Sequence, residues 1–146
     1  IKGARIWKGS RTALENNMKN VVFIRMSIDK IASFFGKDEI SEIWLTFPDP
    51  QPGKSREKKR LTSPGFLQMY ETTMQKGGII HLKTDNIAFF DYTLEMIKEN
   101  HYKLIWATHN LYDSGKANEI LSIQTFYEQK FLNEGLLICY LKFICK

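Results

Sequence analysis

Gly77-Gly78-Ile79-Ile80-His81-Leu82-Lys83-Thr84-Asp85-Asn86-Ile87 changes its period at one point. Ile79 to Lys83 is a short, β-branched run of the kind that fits a buried strand. From Ile87 onward the apolar positions Ile87, Phe90, Leu94 and Ile97 recur at the spacing of one helix face. A strand that passes through a polar turn, Thr84-Asp85-Asn86, into an amphipathic helix is the repeating piece of an α/β domain.

The same alternation extends in both directions. Upstream, Glu42 to Phe47 reads as a buried strand stopped by Pro48. After a polar segment, Thr62 or Ser63 caps a helix with Pro64 in its first turn; Phe66, Leu67, Tyr70 and Met74 share its inner face, and Gly77-Gly78 ends it. Earlier still come a helical stripe over 4–17, a strand over Val21-Val22-Phe23-Ile24, and a helix carrying Ile28, Ile31, Ala32 and Phe35 that Gly36 closes. Downstream, Tyr102 to Ala107 is a strand, 108–124 a connection, 125–134 a short helix and Leu136 to Phe143 a last strand. The expected class is α/β, a mostly parallel sheet with helices on both faces, whose ligands bind beyond the carboxyl ends of the strands.

The 146 residues, 43% hydrophobic and 25% charged, fit one soluble domain. Charged residues break every apolar run before the roughly 18 residues that a membrane span needs. The start shows no basic segment followed by an apolar one, which argues against secretion and for the cytoplasm. A first residue of Ile1 reads as the start of a fragment. Cys139 and Cys145 suit neither a disulfide framework nor a metal knuckle, and His81, His101 and His109 have no shared spacing that would hold a metal. Tyr70, Phe89, Phe90 and Phe126 read as core aromatics. The net charge of +5 is concentrated in Lys54-Ser55-Arg56-Glu57-Lys58-Lys59-Arg60, which holds five cations against one anion. Such a run is a solvated loop or, beside a site, a grip on phosphates.

Three polar clusters fall at the expected sheet edge. Phe47-Pro48-Asp49-Pro50 fixes a carboxylate between two prolines, either as a rigid acid in a site or as a turn whose acid bonds its own backbone. Asp85 stands in the turn after the next strand. Thr125-Phe126-Tyr127-Glu128 has the pattern of a capping box, and it also serves a site if its helix opens at the pocket. Acids gathered at one edge of such a sheet mark that edge as the site.

Together, EIWLTFPDPQPGKSREKKRL (42–61), GGIIHLKTDN (77–86) and TFYEQKF (125–131) resemble, in order and spacing, the transfer RNA (guanine-N7-)-methyltransferases of the TrmB type. The resemblance implies a Rossmann-like class I fold with an antiparallel last strand, S-adenosylmethionine as methyl donor, and a variable-loop guanine of transfer RNA as acceptor. It makes Asp49 the catalytic acid, in contact with the cofactor as well, and puts Ser27 in the family's other cofactor-contacting position. It assigns Lys54, Asp85, Thr125, Phe126, Tyr127 and Glu128 to the substrate, and Ser55, Arg56, Glu57, Lys58, Lys59 and Arg60 to the RNA. The chain departs from the family pattern at Gln51, where Trp is usual, at Gly53, where the basic run usually begins with Lys, and at Ser27, where an acid is usual. The family's glycine-rich cofactor loop is also missing. In the family's strand order, 3-2-1-4-5-7-6, the two strands not found here fall between 21–26 and 42–47. Residues 1–146 are therefore expected to be the larger, C-terminal part of one methyltransferase domain, incomplete at its N-terminus, whose working form continues upstream and is a monomer or a homodimer.

Guanine N7 carries an in-plane lone pair and no proton, so it attacks a sulfonium methyl without a strong general base, and positioning does most of the work. The ring becomes cationic, which gives Asp49 a charge to stabilise and Asp85 and Glu128 donor groups to hold. A non-catalytic RNA-binding module on a degenerate methyltransferase fold is the alternative; it accounts for the basic loop and the missing glycine loop together.

Overall fold

Apolar alternation along the strands decides how the sheet buries its two faces. The computed structural model describes residues 3–146. Its elements are α1 (Gly3–Glu15), a 3-10 helix over Ile28–Ser33, β1 (Ile40–Thr46), a second 3-10 helix over Lys54–Lys59, α2 (Pro64–Glu71), β2 (Met74–Thr84), α3 (Ile87–Glu99), β3 (Lys103–Thr108), α4 (Phe126–Asn133) and β4 (Cys139–Ile144). The strand order is β1-β2-β4-β3. β1 pairs parallel with β2, and β4 lies antiparallel to both β2 and β3, so the last strand alone runs against the others, as expected.

Ile43 and Leu45 of β1, Ile80 and Leu82 of β2, and Leu141 and Phe143 of β4 point to one side, where Leu67 and Tyr70 of α2 and Phe89 and Phe90 of α3 close over them. The alternate residues Trp44, Trp106 and Tyr140 point to the other side, under Leu111 and Leu121 of the long connection and Phe131 and Leu132 of α4. Cys139 and Cys145 are buried, unpaired thiols.

Several sequence expectations need correction. The segment 21–24 is not a strand: Val22, Phe23 and Ile24 are exposed. Among the described residues, no strand lies beyond the outer edge of β1 for it to pair with, and an extended segment without a ladder has nothing to satisfy its backbone. The helix expected from Ile28 is a short 3-10 helix, and the basic segment expected to be irregular holds another, entered through Gly53 at φ 89°. Helix α2 ends at Glu71 and Met74 already belongs to β2, so Gly77-Gly78 interrupts a strand and does not stop a helix. Gly77 has φ 81°, and the β1–β2 register slips in this region. A Cβ on Gly78 would lie 3.0 Å from the carbonyls of both Gln75 and Ser41, so the two backbones meet only because that residue is glycine.

The expected hydroxyl cap of α2 is absent as well. The Ser63 hydroxyl donates to the Lys58 carbonyl at 3.3 Å, and that of Thr62 meets Thr93 at 2.8 Å, tying the basic segment to α3. Helix α3 does have a side-chain cap, because Asn86 accepts from the Phe89 amide at 2.8 Å. Asn86→Ala is expected to cost about 1 kcal/mol, read from the urea midpoint.

His81 belongs to the second face and is a core residue. Its ring stacks on Trp44 at 3.9 Å and shares a 2.7 Å hydrogen bond with the Tyr140 hydroxyl. Burial lowers its pKa from 6.5 to about 4, against the opposing pull of Glu42 and with a smaller push from Lys142. Between those values the unfolded chain holds a proton that the folded one does not, so stability is complete above pH 6.5 and falls as the pH approaches 4. The loss is on the order of 3 kcal/mol. Urea unfolding at pH 7 and pH 4.5 should show this decline in the parent, and His81→Phe should flatten it.

Candidate active site

At the end of β1 the chain keeps one more ladder bond, from the Phe47 amide to the Lys83 carbonyl at 2.8 Å, and then turns sharply. Phe47 and Gln51 both adopt left-handed backbone, at φ 49° and 47°, on either side of Pro48-Asp49-Pro50. Non-glycine residues pay for that conformation, and such strain is concentrated where a loop must hold a side chain in place. Asp49 is exposed; its Oδ1 accepts from the Gln51 amide at 3.0 Å, and its Oδ2 makes no hydrogen bond among the described residues. The local turn and the outward-facing acid are thus the same object.

The turn after β2 places Asp85 beside it. The Thr84 hydroxyl accepts from the Asn86 amide at 3.1 Å, and Asp85 stands half-buried between them. Phe47, Pro48, Asp49, Pro50, Asp85, Tyr127 and Phe131 line one pocket of about 210 Å³. The Tyr127 and Phe131 rings lie 6.3 Å apart in a stacked arrangement, and Phe131 meets Phe47 at 5.7 Å. Two carboxylates and an aromatic wall around such a volume suit a planar ring that carries N–H donors.

The capping box of α4 is complete. The Thr125 hydroxyl accepts from the Glu128 amide at 3.1 Å, and Glu128 Oε2 accepts from the Thr125 amide at 3.2 Å. Because this helix opens at the pocket, it presents Tyr127 to the cavity while Glu128 turns inward. Glu128 is fully buried, with Oε1 taken by the Lys83 ammonium at 2.5 Å and by the Tyr112 hydroxyl at 2.7 Å. Burial and the bond to Glu128 push the Tyr112 pKa up to about 12, which keeps its proton in place as a donor. Phe126, expected in the core, is 69% exposed and is not among the pocket's lining residues, since the capping box turns Glu128 into the interior in its place.

The basic run lies outside the pocket lining but is tied to it. Arg60 donates from Nε to the Gln51 carbonyl at 3.3 Å and lies 4.2 Å over the Tyr92 ring. Lys54, Ser55, Arg56, Lys58 and Lys59 are exposed, whereas Glu57 and Arg60 are half-buried. Ser27 is exposed ahead of its 3-10 helix, makes no capping bond, and is not part of the pocket wall. The sequence reading missed Lys83, Tyr112 and Arg5. Lys83 had a signal, a lone cation inside an apolar strand, which is buried only when paired. Arg5, 4.7 Å over Tyr127, had none, since α1 and α4 lie far apart in the chain.

The fold and this edge define a class, that of the Rossmann-like methyltransferases. Among solved structures, a geranyl diphosphate C-methyltransferase from Streptomyces coelicolor A3(2) shares the fold, with a TM-score of 0.58 at 12% identity over 99% of this chain and 62% of its own. The family model described as "Putative methyltransferase" matches residues 3–141, and the chain belongs to that family. Two relatives, both named tRNA (guanine-N(7)-)-methyltransferase, stand close to it. The protein from Bacteroides fragilis is 49% identical over 99% of this chain and 56% of its own length, and that from Christiangramia forsetii is 44% identical over 100% and 66%. The chain thus spans between about half and two thirds of the length of these relatives.

Proposed function

We propose that the protein transfers a methyl group from S-adenosylmethionine to N7 of a variable-loop guanine in transfer RNA, acting in the cytoplasm, and that residues 1–146 are the larger part of its single catalytic domain. One observation carries the reading: Asp49, Asp85 and Tyr127 converge from three separate segments on one pocket, in a chain whose relatives bear that activity in their names.

The donor and acceptor patterns of the pocket match guanine. A base seated against Tyr127 and Phe131 turns its N1–H and exocyclic amine toward a carboxylate, and Asp85 is that acceptor. Asp49 faces the ring from the β1 side and stabilises the positive charge that appears as N7 gains its methyl group. No proton leaves N7, so the site needs no general base, and orientation supplies most of the acceleration. Thr125 and Phe126 extend the substrate wall at the mouth of α4, and Glu128 serves it from inside by holding Lys83 and Tyr112.

Two groups on this chain fit the cofactor. Asp49 has one carboxylate oxygen free, and the exposed Ser27 hydroxyl makes no capping bond, so each can meet a polar ligand. When bound, S-adenosylmethionine supplies a methyl group activated on a sulfonium. A pocket of about 210 Å³ takes a base, while a ligand of cofactor size needs a larger cleft, roughly 300 Å³ or more.

Lys54, Arg56, Lys58 and Lys59 contribute the phosphate grip, with Ser55 and Glu57 on the same turn and Arg60 anchoring it to the Asp49 loop. Replacing Lys54 and Lys58 by Ala is expected to reduce the slope of log affinity against log salt by about 1.5 to 2, with kcat at saturating RNA unchanged. Filter binding across a salt series measures it.

The proposal is tested by incubating the full-length protein with labelled S-adenosylmethionine and unmodified transfer RNA, then digesting the RNA to nucleosides. N7-methylguanosine is the expected labelled product. Label on another atom, or RNA bound with salt sensitivity but never methylated, refutes it.

A further inference from the structure

The Lys83 side chain lies on the sheet face opposite α2 and α3, and only 2% of the residue is exposed. Its ammonium donates to the Leu121 carbonyl at 2.9 Å and the Ile123 carbonyl at 3.5 Å, and it meets Glu128 Oε1 at 2.5 Å. The same oxygen accepts from Tyr112, and the other accepts from the Thr125 amide. One buried cation therefore joins β2, the long connection and the first turn of α4. Hydrophobic pairs of similar volume often replace buried ion pairs without loss of stability, so apart from the bonds to the Leu121 carbonyl, the Tyr112 hydroxyl and the Thr125 amide, stability gives this pair little reason to exist. Its place along the chain gives one. Lys83 stands two residues before Asp85, and Glu128 stands one residue after Tyr127, so the pair links the two opposite walls of the pocket.

We propose that Lys83 is a positioning residue, which through Glu128 fixes the separation of Asp85 from Tyr127 and so sets how the accepting base is held. This rests on the methyl-transfer reading. Displacing a reacting group by about 1 Å costs on the order of 100-fold, and a single ion pair in a dry interior is rigid enough to prevent it.

The test uses Lys83→Met, Glu128→Met and the double variant of the full-length protein. Each single change leaves a buried charge without its partner and is expected to lower the melting temperature by roughly 10 °C, and the double variant should recover part of that, since the Leu121 carbonyl, the Tyr112 hydroxyl and the Thr125 amide still lose their partners. Activity should not follow stability: kcat/KM for transfer RNA is expected to stay about 100-fold down in all three. KM for S-adenosylmethionine should remain within about twofold of the parent value. A double variant that regains both melting temperature and kcat/KM overturns the assignment. If the double variant does not fold, Glu128→Gln decides, since it keeps the shape of the side chain and one acceptor oxygen while removing the charge that pairs with Lys83. An approximately tenfold lower kcat/KM, measured well below the variant's melting temperature, is then expected, and an unchanged kcat/KM overturns the proposal. If the parent makes no N7-methylguanosine, it is the methyl-transfer reading that has failed. The Asp85-to-Tyr127 distance in crystals of parent and double variant, or of Glu128→Gln if the double variant does not fold, then judges the positioning role alone, and an equal distance refutes it.

Discussion

Asp49→Asn is expected to lower kcat for methyl transfer by about 100- to 1,000-fold at saturating RNA and cofactor, while the melting temperature changes by no more than a few degrees. The substitution keeps shape and one acceptor oxygen, so the turn bond to the Gln51 amide survives. What disappears is the negative charge that, in the proposed function, faces the guanine ring as it becomes cationic. Because that charge acts on a state that exists only during transfer, the loss falls on kcat, and KM for transfer RNA should move little. Steady-state kinetics with both substrates varied, alongside thermal unfolding, separate the two effects.

Phe143→Ala is expected to destabilise the fold by about 3–5 kcal/mol, a large share of the roughly 5–15 kcal/mol that holds a folded domain together. Phe143 is completely buried in β4, the strand that joins β2 to β3, where it lies opposite Ile80 and Leu104. Its ring meets Tyr102 edge-on at 5.6 Å. Its loss opens a cavity where three strands meet and α3 packs, a place that cannot collapse without moving the sheet. Urea unfolding should show the drop as a lower midpoint with an unchanged slope.

The parts of the fold legible in the sequence are those where a single period dominates. Ile79 to Lys83 followed by Ile87, Phe90, Leu94 and Ile97 places α3 and the second half of β2, though not its start at Met74, because a strand buried on both faces and a helix buried on one leave different spacings. The segment around Gly77-Gly78 is ambiguous in sequence because paired glycines commonly end helices; only the close approach of the Ser41 carbonyl to Gly78 shows why a glycine is needed inside a strand here. Val21 to Ile24 has strand composition and no strand, since pairing depends on a neighbour that composition does not reveal. In the site, Asp49 and Asp85 could be found because each follows a strand that ends in a turn. Glu128 is legible as a capping residue, but not as the substrate acceptor that the sequence also suggests: it is fully buried and both its oxygens are engaged, by partners Lys83 and Tyr112 from distant positions and by the Thr125 amide, and no local pattern links the first two to it.

The most direct test of the central claim uses two transfer RNAs that differ by one atom, guanine or 7-deazaguanine at the accepting position, with the full-length protein. No methyl transfer to the 7-deaza RNA is expected, and competitive inhibition by it with a constant close to the KM of the normal substrate, since in the proposed function Asp85 and the Tyr127 wall hold the part of the base that is unchanged. Methyl incorporation at that position in the 7-deaza RNA would contradict it, because the nucleophile would then be an atom other than N7.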